Sequence, residues 1–407
     1  MTGVGLVIVA WMVGESVGGA YLRRYEERWR TDVARERDRL ARYRRPVVFG
    51  TPSDQNAAAW YRLSFEKLQS ESSETGVVQT TGVVQTLRKA AILPVPDDNN
   101  RVAGAFEQHC SEIRTKRIQA ALGATRTDWQ LPMQVDAPDQ IISIGPAMIL
   151  GFCEVIDGHL KRATNSRGAV DAYLSTVSIA TDMGQGYFEM NMVGVGLARI
   201  GLDSLGALVG SLEDRATLSY ASDQLSRFEG RLTGADVGFR LARLWLEDAL
   251  LIDAREAAQD GTLSRIAPRA AAAWRLSRRR VLLGELEQVT FTDDFDARMR
   301  LAEPIRQQVA LSHNELIAGT IPSRWDAMEK DAQNVLLVFR AVEVAIKLQE
   351  WRIAHGHYPV DAISLDVPAK MHGLMYEQLG AGSGYRLTGN LWSANTRTVL
   401  ERQPRGQ

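Results

Sequence analysis

Cysteine is nearly absent. Cys110 and Cys153 are the only two in 407 residues. That excludes a disulfide framework; two buried small hydrophobes are the plainer expectation, and one bridge the alternative. No charge excess exists either: 48 basic against 49 acidic side chains leave a formal net charge of −1. A general nucleic-acid binder, which carries a strongly basic domain, is thereby disfavoured, and no nucleic-acid partner is expected. Lysine is scarce, seven of the 48 basic residues, a bias that fits a GC-rich genome better than any chemistry. Six histidines (His109, His159, His313, His355, His357, His372) show no His-Glu-x-x-His spacing, and no Cys-x-x-Cys occurs. No catalytic, cofactor-binding or metal-binding residue stands out, and no cofactor is implied.

What is present begins at the N-terminus. Val4 to Leu22 is a 19-residue run with a single charge, Glu15. A membrane-spanning helix needs about 20 mostly apolar residues. No basic side chain precedes Arg23, and Ala20-Tyr21-Leu22 is a poor cleavage site, so an uncleaved anchor is favoured over a signal peptide. Arg23 to Arg45 then holds ten arginines against five acids. Trp29, Val33, Leu40 and Tyr43 form one helical stripe, which reads as a solvated basic stalk ended by Pro46. The arginine count places the body in the cytoplasm. A late annotated start codon would hide basic residues upstream and reverse that placement.

From about residue 50 to 350 the pattern is helical. Expected helices lie near 139–164, 167–183, 187–211, 213–229, 234–258 and 264–288, with a last long one at about Ser323 to Ala354. The direct repeat Thr75–Thr80/Thr81–Thr86 reads as a surface loop. Met183 to Gly210 is apolar and carries Gly194, Gly196, Gly201, Gly206 and Gly210. Glycine inside a helix costs about 0.5–1 kcal/mol against alanine, so close helix approach is the expected reason. A second membrane span is the sharper alternative; Arg199 and Asp203 argue against it and are spaced to pair across one turn.

Several short patterns hint at chemistry. Ser64-Phe65-Glu66-Lys67 matches a Ser-x-x-Lys nucleophile pair but lacks the partner motifs. His355-Gly356-His357 offers two imidazoles and reads as a polar helix end. Asp293, Asp294 and Asp296 fit a helix start better than a cation site. Glu247 and Asp248, with Asp253 and Glu256, read as solvated surface.

The C-terminal region carries a resemblance. Leu348 to Leu365 reads LQEWRIAHGHYPVDAISL, followed by two strand-like segments, Gly373–Leu379 and Tyr385–Trp392. Through Trp351, Arg352, His355, Gly356, Tyr358 and Pro359 it resembles uncharacterised membrane-anchored helical proteins of myxobacteria and planctomycetes. Leu202-Asp203-Ser204-Leu205 also looks similar to their helical middle. The His-Gly-x-Tyr-Pro piece is in turn similar to the pseudopilin-like segment after the long helix of type II secretion pseudopilins. The family's leucine after the proline is displaced here to Ile363 or Leu365, and the N-terminal run lacks the Gly-Phe-x-x-x-Glu cleavage site. The resemblance implies a periplasmic helical domain, against the arginine count, and supplies no functional residues.

The expected fold is mainly α, a multi-helix bundle or α-solenoid-like array with a small C-terminal β-hairpin. Its expected divisions are a transmembrane anchor (1–22), a basic helical stalk (23–45), an all-α domain (46–322), a long helix with a pseudopilin-like hairpin (323–393) and a disordered tail (394–407). The expected partners are the membrane and a protein, or a second copy in self-association. The expected function is a membrane-anchored interaction or scaffolding protein of the cell envelope. An enzyme with an unrecognised site, perhaps a hydrolase, and a pseudopilin-related structural subunit are the alternatives.

Overall fold

A computed structural model describes residues 2–42, 44–45, 52–61, 119–127, 129, 145–186, 188–228, 232, 240–241, 243–244, 247–248, 251–252, 267–274, 276–277, 300, 322–365, 371, 373–390 and 396–403. The chain divides into two units. The first comprises 1–42, 130–141 and 236–327; the second comprises 43–129, 142–235 and 328–407. The fold is mainly helical with a small antiparallel sheet near the C-terminus, as the periodicity indicated.

In the first unit, helix α1 (Thr2–Arg42) runs unbroken for 41 residues. The segments expected as anchor and stalk are therefore one continuous helix. Its middle is built into protein. A Cβ at Gly18 would lie 2.6 Å from the Arg269 carbonyl oxygen, so only glycine permits that approach. Glu15 Oε1 accepts the amides of Arg269 (3.0 Å) and Ala270 (3.2 Å). These are unpaired donors in the first turn of the helical stretch 268–274, where a carboxylate also meets the positive end of the helix dipole. The one charge of the apolar run is a helix cap.

The stalk is not a free solvated helix. Trp29 and Val33 are buried as the stripe predicts, and Trp29 Nε1 donates to the Leu244 carbonyl at 3.0 Å. Asp32 and Glu36 are buried with them. Asp32 meets Arg35 and Arg243, and Glu36 meets Arg39 and Arg240. Glu247 and Asp248 are buried too, not solvated, with Glu247 4.0 Å from Arg243. Asp32, Glu36 and Glu247 are tolerated inside because arginines meet them there.

The second unit is built on α3 (Gly145–Lys161), α4 (Ser166–Met183) and α5 (Phe188–Val209). Four-residue connections between the helices make them packed neighbours. Asn165 caps α4 through the Gly168 amide, and Asp214 caps α6 (Arg215–Ser226) through the amides of Ala216 and Thr217. The α5 glycines sit where neighbours come close. A Cβ on Gly194 would be 2.7 Å from the Ala180 carbonyl oxygen, and one on Gly206 2.8 Å from Leu400. Gly196 faces open space. Among the described residues one helix stretch is long and apolar enough to cross a membrane, Met190–Val209; it lies mid-chain and is 56% buried in the fold. The N-terminal run does not take that place.

Two short elements precede the bundle in sequence. Strand β1 (Ser53–Asn56) pairs in parallel with β2 (Ala124–Arg126), which follows the helical turn α2 (Gln119–Gly123). The C-terminal part adds α7 (Pro322–His355) and the sheet β3 (Leu374–Leu379), β4 (Gly384–Asn390), β5 (Thr396–Arg402) in that order. The expected hairpin is present, but residues 396–402 of the expected disordered tail form its third strand. The strand signal there was weak: Thr396 to Arg402 alternates one apolar pair with arginine, threonine and glutamate. Cys153, buried on α3, is disulfide-bonded, which corrects the expectation of a free small hydrophobe. Cys110 lies outside the described residues.

Candidate functional site

The C-terminal motif first acts as architecture. Gly356 adopts φ +81° and its amide closes on the Arg352 carbonyl at 2.8 Å. That left-handed step ends α7 and is open to glycine at little cost. The turn drops Tyr358 into the unit, fully buried. Its hydroxyl donates to Gln349 Oε1 at 2.7 Å, its ring meets Tyr385 edge-on at 4.9 Å, and its carbonyl accepts Gln378 Nε2 at 2.6 Å. Gln349 Nε2 donates onward to the Leu212 carbonyl. Tyr376 donates to the Pro359 carbonyl at 2.6 Å. Burial pushes the Tyr385 hydroxyl well above the ordinary tyrosine value, and neighbouring Tyr358 adds to the rise. The Gly-x-Tyr-Pro residues thus clamp the sheet to the helix.

Beside this clamp lies an open cleft of about 480 Å³. Lys347, Glu350, Trp351 and His355 of α7 line one wall, Arg215 and Ser219 of α6 another, and Ser364 and Leu365 a third. Its size falls in the range of ordinary ligand clefts. Trp351 and His355 stack at 4.0 Å, and the buried indole Nε1–H has no acceptor among the described residues. Lys347 is neutralised by Glu350 at 2.7 Å. Arg215 has no ion-pair or hydrogen-bond partner among the described residues. The cleft's one uncompensated formal charge is therefore positive.

A second polar cluster is closed to solvent. Asp182 accepts Arg45 Nε with both oxygens (2.8 and 2.7 Å), Thr127 at 2.7 Å and Tyr61 at 2.5 Å. Arg45 also donates to the carbonyls of Ala121, Leu122 and Ala124 and to Ser178. Burial and the Asp182 charge both push the Tyr61 hydroxyl far up, so it stays a donor. Both side chains of the ion pair are wholly inaccessible. No substrate reaches this cluster, and it holds the chain around β1 and β2 to α4. Arg45, counted in the basic stalk, is in fact a core residue.

The other sequence candidates fall as follows. His355 and His357 have ring centroids 6.5 Å apart, and each Nδ1 lies against a backbone carbonyl, of Trp351 and Tyr358 respectively. Arg199 and Asp203 pair at 2.9 Å across one turn, as their spacing indicated. Ser64, Lys67, the hexapeptide repeat, His109, His313, His372, Asp253, Glu256, Asp293, Asp294 and Asp296 lie outside the described residues. Sequence reasoning missed the cleft because its walls come from segments more than 120 positions apart. The only local signal was Trp351 and His355 one turn apart at a helix end.

No known family matches this chain, and neither does any curated protein or solved structure.

Proposed function

We propose that this is a membrane-anchored helical protein of the cell envelope that works through protein contacts. The observation that carries the anchor is the start of α1. Ile8, Val9, Trp11, Met12, Val13 and Val17 are 45–63% exposed. From residue 8 to 13 every position, Ala10 included, is exposed, and together they step round the whole helix. A docking helix shows a one-sided apolar stripe, whereas an apolar surface on all sides suits the uniform medium of a lipid interior. Arg23 and Arg24, exposed just beyond, suit anionic head groups.

The bonded state of Cys153 supports an oxidising compartment for the body. The arginine count pointed the other way. The bridge carries the greater weight, because a structural disulfide is rare in a reducing cytoplasm. The reading is therefore N-terminus inside, body outside. Carbonate washing of membranes from cells making the full chain tests the anchor. Wild type stays in the pellet, while V9D/V13D moves to the supernatant; wild type in the supernatant sinks the reading. Alkaline phosphatase fused after Gln407 reads the side, and an inactive fusion reverses it.

A second reading, a structural subunit related to pseudopilins, is favoured by one observation. A long helix, α7, is followed by a three-stranded antiparallel sheet packed on it, with Leu337 of the helix against Gly373 and Gly389. Deleting 371–403 would then remove co-purifying secretion components, and their unchanged recovery would exclude this reading.

A further inference from the structure

The loop closing the cleft presents unusual side chains. Val360 is 79% exposed and Ile363 90% exposed. They are not on a slack segment. Asp361 accepts the Ser364 amide (3.2 Å) and hydroxyl (3.0 Å), and the Leu365 amide returns to the Ala362 carbonyl at 3.1 Å. Pro359 is tied down through its carbonyl by Tyr376. The fold thus holds two large aliphatic side chains in water on the loop whose Ser364 and Leu365 line the cleft, with an indole on one wall and, on the other, a guanidinium without a partner among the described residues. Keeping an apolar group exposed on a rigid turn gains nothing for folding, and an uncompensated Arg in a cleft attracts a carboxylate.

We infer that this cleft docks an extended segment of a partner protein, one that carries an acidic residue beside an aliphatic or aromatic residue. The acid meets Arg215. The apolar neighbour covers Trp351 and the aliphatic pair Val360 and Ile363. Charge complementarity decides the occupant. With Lys347 spent on Glu350, Arg215 is the one cation of the described lining without a partner, enough for one carboxylate and too little to hold a nucleic-acid backbone or a lipid surface. The inference rests on the protein-contact reading above and not on the anchor.

Display of random octapeptides against the purified full chain tests it. Enriched peptides should share an Asp or Glu next to an apolar residue. Arg215→Glu should weaken them about tenfold or more and enrich Lys- or Arg-bearing peptides instead. Ile363→Asp should weaken them while leaving the acid preference in place. Both sites are exposed, so unchanged thermal unfolding verifies the fold. No enrichment, a consensus without an acid, or equal binding to Arg215→Glu overturns the inference. So does vesicle binding or self-association, read by sedimentation, that depends on Arg215 while no peptide binds. Membrane pelleting reads the anchor separately, so either reading can fail alone.

Discussion

At the scale of single residues, Asp182 has the most at stake. It is buried with four side-chain donor bonds from Arg45, Tyr61 and Thr127. Removing one partner of a buried ion pair leaves an uncompensated charge and costs about 3–5 kcal/mol. Asp182→Ala should therefore lower stability by that order in urea unfolding, and the double variant R45M/D182L should recover part of it. Equal losses in both would mean the pair is not acting as a unit. A gentler case is Asp214. The Thr217 hydroxyl first, then the amides of Ala216 and Thr217, hold its carboxyl below the ordinary aspartate range. A depressed acid value means the cap contributes above the unfolded value and is lost as pH falls through the folded one. The stability gap between wild type and D214A, measured by urea unfolding, should shrink from pH 6 toward pH 2. A constant gap would contradict the cap. None of this was legible beforehand for Asp182, because its partners lie 55 to 137 positions away. Asp214 fell inside the expected helix 213–229, so neither the true start at Arg215 nor the cap was legible.

At the scale of elements, α5 separates two kinds of glycine. Gly194 meets a carbonyl at 2.7 Å, whereas Gly196 meets nothing within 4 Å. Gly196→Ala should stabilise the protein by about 0.5–1 kcal/mol, since alanine loses less backbone entropy and nothing obstructs its methyl. Gly194→Ala should destabilise it, because the Ala180 backbone must move. Thermal unfolding decides, and equal signs would refute the packing account. The helices α4 to α7 were legible to within a few residues because they begin or end at a cap or a glycine, while α3 starts six residues later than expected. The reason for the α5 glycines was legible as well. The third strand was not, since Thr396–Arg402 is polar on most positions and is held by its partner β4 rather than by its own pattern. Glu247 and Asp248 were misread for the same kind of reason. Acids on a helix look solvated until arginines from elsewhere, or from one turn away, are seen beside them.

At the scale of the whole molecule, Cys153 ties stability to redox state. Disulfides in proteins contribute about 2–4 kcal/mol. Dithiothreitol should lower the unfolding midpoint of the full chain, and C153S should make the midpoint indifferent to the reductant. An unchanged wild type would show that the bond is not formed in the purified protein. The rod α1 has a consequence of a different kind. It has no proline or break from Thr2 to Arg42, and Glu15 and Gly18 grip it near its middle. Forty-one residues at about 1.5 Å each make a lever about 60 Å long. A jointless lever clamped partway along transmits angle. Pivoted at Glu15 and Gly18, about 39 Å of rod lies beyond the grip, so a tilt of about 10° there would carry Arg42 about 7 Å and strain the buried contacts of Trp29 and Asp32.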